Sequence, residues 1–153
     1  MVSMAVAAQR GTAHRWGYGF SALVNLILAW AVNVWPGWEA VPFLDDATTE
    51  VLPLVNLSLL IGFGTNVAYM VLDPPWFRAL GHILTAAVSI AVLVRTLRVF
   101  PFDFSDVSDS ASTWEPITRG ILIFLIVASV LGLVSYVVQY VRAVVRGPDA
   151  AEG

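Results

Sequence analysis

Four long stretches of this chain carry no charge. Residues 16–38, 51–72, 79–94 and 120–141 are free of Asp, Glu, Lys and Arg, and beyond Arg95 and Arg98 the third apolar run continues to Phe102. A helix needs about 20 predominantly apolar residues to cross the hydrocarbon core of a bilayer. The first, second and fourth stretches meet that length outright. The third meets it once Arg95 reaches the headgroups. Composition points the same way: 58% of the residues are hydrophobic and 12% are charged, against about 25% charged in a soluble domain. A soluble fold would lack the polar groups to cover itself, whereas lipid wets apolar surface directly. The expected fold is therefore all-α, a polytopic membrane protein with four transmembrane helices over about 17–35, 51–72, 79–100 and 117–141. Together they make one domain, 16–141, between an N-terminal segment, 1–15, and a tail, 142–153.

The arginines set the expected orientation. Arg10, Arg15, Arg78, Arg142 and Arg146 flank one side of the spans, while the loops on the other side carry Glu39, Asp45, Asp46, Glu50, Asp103, Asp106, Asp109 and Glu115. Basic residues concentrate on the cytoplasmic side of membrane proteins. Both termini are thus expected inside, in a bacterial cytoplasmic membrane, with both acidic loops outside. The first stretch also admits a signal peptide, with Arg10 and Arg15 ahead of it and Ala29-Trp30-Ala31 as a small-x-small cleavage site. Against cleavage, the run continues into Trp35-Pro36-Gly37-Trp38, which suits an interfacial aromatic belt.

The outer loops repeat one another. Val34-Trp35-Pro36 matches Val99-Phe100-Pro101, and Thr48-x-Glu50 matches Thr113-x-Glu115, all at one constant interval along the chain. This suggests two tandem helical hairpins of parallel orientation. Proline after an aromatic ends each outward helix. Thr48 and Thr113 are expected N-caps, which puts Glu50 and Glu115 in first turns where the helix dipole favours negative charge.

Two sets of residues are candidates for function. The first is a charge cluster at the outer face. Arg95 and Arg98 break the positive-inside pattern, either snorkelling to the headgroups or turning inward to Glu50 and Glu115, with Arg119 one helical turn after Glu115 closing the set. This is the candidate anionic-ligand or lipid-headgroup site. The second is a polar intramembrane stripe of Asn25, Asn66, Thr85, Ser89 and Gln139. Small and polar residues recur at spacing four in every span, for example Ser58, Gly62 and Asn66, which lets helices approach and amides bond across. Such stripes either pack the helices or line a polar path. No Asp or Glu lies within a span, which weighs against a cation-coupled transporter.

Other chemistry finds little footing. Without cysteine there are no disulfides or thiolate metal sites. His14 and His82 lie near span ends with no ligand at metal spacing, and Asp103, Asp106 and Asp109 lack the pattern of a calcium loop. No metal and no cofactor are expected, nor any enzyme motif. A net charge of −3 gives no reason for a nucleic-acid partner. The expected partners are the lipid bilayer and, within it, a second copy of the chain or another membrane protein.

The strings Trp35-Pro36-Gly37-Trp38, Val41-Pro42-Phe43, Asp73-Pro74-Pro75-Trp76 and Val99-Phe100-Pro101-Phe102-Asp103-Phe104 resemble those of small four-helix membrane proteins of actinobacteria, over about 17–141. That resemblance implies a membrane location and a topology; no activity, cofactor or catalytic residue comes with it. The function expected is that of an integral membrane component without catalysis, an accessory subunit or scaffold. The alternative is a small oligomeric transporter or channel built around the polar stripe.

Overall fold

The computed structural model describes residues 2–72, 74–105 and 111–145, with the backbone alone described for 2–15 and 111. Among them the chain is helical: α1 (Val2–Asn33), α2 (Thr48–Val71), α3 (Pro75–Val99) and α4 (Ala111–Val145), with a short 3-10 turn at Trp38–Ala40. Three of the helices, α2, α3 and α4, are long and apolar enough to cross a membrane. Each helix starts before the span expected for it, while α1, α2 and α3 end one or two residues short of it. The backbone of α1 continues through 2–15 without a break, and α4 begins six residues before 117.

Helices neighbouring in sequence are neighbours in space: α1 packs on α2, α2 on α3 and α3 on α4. Their registers are antiparallel. Asn33 meets Asn56 while Gly19 meets Met70. Glu50 meets Arg95 while Tyr69 meets Arg78. The buried apolar side chains are few, among them Ala22, Val51, Tyr69, Ala79 and Leu122. Large ones stand open instead, including Leu60 at 63%, Phe124 at 70% and Leu131 at 65%. In water such a surface would cost far more than so thin a core returns; in lipid it costs nothing.

The ends of the helices correct several expectations. Thr48 is not an N-cap. Ala47 holds that position without a side-chain bond, and the turn before it is closed by Asp45, whose carboxylate accepts the Ala47 N–H at 2.9 Å. Thr113 is the third residue of α4, so Glu115 lies beyond the first turn, whereas Glu50 is within it. At the end of α3, Phe100 takes a left-handed conformation (φ 49°) and Pro101 follows. The turn is held by the Phe100 N–H, which donates to the Thr96 carbonyl at 2.7 Å.

That turn brings the two repeat-related loops together. Leu44 and Phe102 form an antiparallel bridge. The Asp103 N–H donates to the Phe43 carbonyl at 3.0 Å, the Asp45 N–H donates to the Pro101 carbonyl at 3.3 Å, and Phe43 stacks on Phe104. One end of the molecule is thus stitched by loops. The other is the α2–α3 turn, with the early part of α1 and the late part of α4 beside it.

Candidate functional site

At the loop end, the charged residues singled out in the sequence separate into two ion pairs and a remainder. An Arg95 Nη lies 2.7 Å from Glu50 Oε2, joining α3 to α2. Arg119 reaches Glu115 at 3.0 Å within α4, one turn away, and its guanidinium lies 3.9 Å over the Phe100 ring. Arg98 is exposed and makes no ion pair among the described residues. Arg95 bonds to Glu50, and no contact with Glu115 completes the full cluster. With side chains 43–57% exposed, each pair contributes on the order of 0–1 kcal/mol. Asp106 and Asp109 lie outside the described residues. Asp103 accepts hydrogen bonds from the Ser105 hydroxyl and N–H, which hold its carboxyl below the ordinary value of 3.8.

The polar stripe also divides. Asn25 donates to the Ser21 carbonyl, Asn66 to the Gly62 carbonyl and the Thr85 hydroxyl to the Gly81 carbonyl, all one turn back on their own helices. The expected bonding across helices is made elsewhere, by a reciprocal amide pair between Asn33 and Asn56 at 2.7 and 2.8 Å. Asn25 still marks a close approach, because a Cβ on Gly62 would fall 2.6 Å from its Oδ1.

Thr85 and Ser89 line one further feature and Gln139 another. A crevice of about 340 Å³ runs between α3 and α4, lined by Thr85, Ser89, Ser129, Gly132 and, at one end, His82 and Tyr136. His82 also forms a wall of a second cavity, of about 470 Å³, at the α2–α3 end. This vestibule is lined by Tyr18 of α1, Arg78 of α3, and Gln139 and Arg142 of α4. No acidic residue lines it among the described residues. Tyr18 and Gln139 bring neutral donors, and Pro75, the first residue of α3, brings a helix N-terminus to the rim.

An aromatic cluster adjoins the vestibule through Tyr18 and His82. Tyr69 packs against Tyr18, Phe77 and His82, and His82 stacks on Tyr136 at a centroid distance of 5.0 Å. Each helix contributes a ring, so the cluster sets the spacing of all four. Tyr69 fits only because residue 81 is glycine: a Cβ there would overlap the Tyr69 hydroxyl. That hydroxyl donates to the Arg78 carbonyl at 3.0 Å, fixing the backbone that carries the Arg78 guanidinium. Tyr18 and Tyr69 were not singled out in the sequence. The available signal was aromatic density at one set of helix ends, with Tyr18, Tyr69, Trp76 and Phe77 all near the arginine-flanked side.

Two guanidiniums on different helices, those of Arg78 and Arg142, line one cavity beside an amide and a phenol. Compared with known protein families, curated proteins and solved structures, the chain matches none.

Proposed function

We propose that the chain is an integral component of a bacterial cytoplasmic membrane, acting by assembly rather than catalysis, as an accessory subunit or scaffold. In this reading α1 spans the bilayer with α2, α3 and α4, giving two tandem hairpins with both termini and the vestibule on the cytoplasmic side. Kinship with the small four-helix membrane proteins of actinobacteria, which its loop strings resemble, belongs to the same reading.

The observation that carries the reading is the α3–α4 crevice. Between two helices whose outer faces are apolar, it is lined by the small residues Ala86, Ser89, Ala128, Ser129 and Gly132 beside the larger Leu125, His82 and Tyr136. In lipid, helices associate where small residues let backbones approach and hydroxyls find partners. The crevice therefore suits a further helix, from a second copy of the chain or from another membrane protein. The test is native mass spectrometry of the full chain extracted from its own membrane. A dimer or a complex with a second membrane protein is expected, lost in Gly132→Leu. A lone chain, or a complex indifferent to Gly132→Leu, would overturn the reading.

A second reading, a small transporter or channel, draws on one further observation: vestibule and crevice share the His82 wall, so polar surface continues from the helix ends toward mid-depth. It requires flux of a small anion such as inorganic phosphate into liposomes bearing the purified chain, and it fails if flux equals that of empty liposomes.

A further inference from the structure

We propose that a cavity under the loop bridge binds a small neutral lipophile bearing one oxygen acceptor, such as a ketone or an ester, taken up from the bilayer. This cavity is separate from the α3–α4 crevice, and its occupancy does not depend on assembly.

The cavity has a volume of about 360 Å³ and is walled by α1, α2, α3 and the two bridged loops. Its side chains are aliphatic or aromatic except for the hydroxyls of Thr48 and Thr96 and the indole N–H of Trp38. Sites for small molecules have this form, an apolar enclosure with a few polar groups that fix orientation. Apolar cavities stay dry and take up apolar molecules, because an empty one leaves its walls without dispersion partners. A cavity of about 150 Å³ holds benzene, so this one has room for about 10–15 non-hydrogen atoms. Its roof is preformed by the Leu44–Phe102 bridge and the backbone bonds beside it, so a ligand does not have to order the loops. Val32, Leu52 and Val55 on the wall are half-buried, so the cavity is not sealed. It lies at the ends of α2 and α3, helices that are apolar enough to cross a membrane, within reach of what the bilayer dissolves.

Thr48 sets the chemistry of the ligand. Its side chain is the buried polar one among the described residues, with 8% exposure, and its hydroxyl has no partner. Thr65 and Thr85 each bond to a carbonyl one turn back on their own helix. Thr48 is the first residue of α2 and has no turn behind it. A buried hydroxyl left without a bond costs stability, and an acceptor bound beside it recovers the loss. Water suits the place poorly, since a buried water needs two to four polar partners and this wall offers few. A charged ligand would find no counter-charge on the wall. The hydroxyl is covered as the side chain stands. Threonine in a helix has two favoured χ1 positions, and a ligand oxygen selects the one that faces the cavity.

The test uses the full chain in neutral detergent. Thermal stability is followed as 2-undecanone is added, with n-dodecane as the hydrocarbon of equal size, and affinity is read from the dependence of Tm on ligand concentration. The parent is expected to bind the ketone about threefold to tenfold more tightly than the hydrocarbon, as one hydrogen bond would give. Thr48→Val is expected to lose that preference and to bind the hydrocarbon as the parent does, with its own stability kept. Thr48→Ser restores a hydroxyl and should restore the preference. Val55→Phe, which fills the cavity, is expected to weaken both ligands. Leu84→Phe, at a different apolar cavity between α2 and α3, is expected to change neither. The proposal is overturned if neither compound binds, or if the parent binds both alike, since any hydrocarbon would then serve, the chain ends of bilayer lipids included. It is overturned equally if the ketone preference survives Thr48→Val, or if Leu84→Phe weakens binding as much as Val55→Phe.

Discussion

The two ends of this molecule are ordered by different contacts. At the loop end the chain places a glutamate against Arg95 and another against Arg119, and the loops themselves are stitched by backbone hydrogen bonds. At the α2–α3 end Arg78 and Arg142 face a cavity, and order comes from a cluster of rings. Half-exposed ion pairs are screened by water and salt; interlocked rings are not. The loop end thus adds screened ion pairs to a backbone bridge and to stacked rings contributed by its loops, whereas at the other end the rings come from all four helices.

The largest effect is therefore expected where packing has least freedom. Gly81→Ala puts a methyl group into the Tyr69 hydroxyl, and a ring wedged on three sides cannot rotate away. Overpacking of this kind costs about 1–3 kcal/mol, and only the lower end of that range is offset by the roughly 1 kcal/mol that Ala gains over Gly in helix propensity. Thermal unfolding in detergent should show a clear loss. Gly62→Ala is the control within the same fold, because the atom it meets is the end of the Asn25 side chain, which can turn aside. Its cost should be smaller, and equal losses for the two would remove the distinction between rigid and yielding neighbours.

At the loop end, Arg95→Leu should change stability by no more than about 1 kcal/mol, in the destabilising direction at low salt and fading as salt rises. A larger loss that ignores salt would mean that the Arg95–Glu50 pair is desolvated, and the contrast between the ends would fall. Thr48→Val is expected to be neutral or stabilising. The Thr48 hydroxyl is buried without a partner beside an apolar cavity of about 360 Å³ under the loop bridge, and replacing such a group by an apolar one of the same shape removes a desolvation penalty. A marked loss of stability would reveal a partner for that hydroxyl.

The smallest effect concerns Asp103. Its carboxyl is held below the ordinary 3.8 by Ser105, so the loop contact it supports is present above that value and is lost as pH falls through the lower, folded one. NMR titration should place Asp103 below 3.8 in the parent chain, and Ser105→Ala should move it upward. An unshifted Asp103 in both would show that the turn does not depend on it.

Much of the helical content was legible as charge-free stretches, because lipid removes the alternation of polar and apolar residues that otherwise blurs such runs. Helix ends were less so. Thr48 and Thr113 look like caps, but a cap depends on the backbone conformation before it, and Ala47 and Ala111 continue or begin the helix upstream of them. The amides misled for a related reason. An Asn or Thr inside a helix can always bond to the carbonyl one turn back, so Asn25, Asn66 and Thr85 needed no neighbour. Asn33 and Asn56 found each other because the α1–α2 register sets them opposite, and register follows from loop geometry that no local pattern in the chain records. Gln139 was visible as a polar residue in an apolar run, and Arg78 and Arg142 as charges flanking one side. That they share a cavity with Tyr18 depends on how α1, α3 and α4 converge, which is a matter of tertiary packing.

The most direct test of the four-span reading uses the absence of cysteine from the chain. Single-cysteine variants Ser3→Cys, Asp46→Cys and Val145→Cys are expressed in bacterial cells and treated with a membrane-impermeant maleimide before and after permeabilisation. Asp46→Cys is expected to label in intact cells, and Ser3→Cys and Val145→Cys only once the membrane is opened. Labelling of Ser3→Cys and Asp46→Cys from the same side would show that α1 does not cross the bilayer, and labelling of Val145→Cys in intact cells would put the vestibule outside.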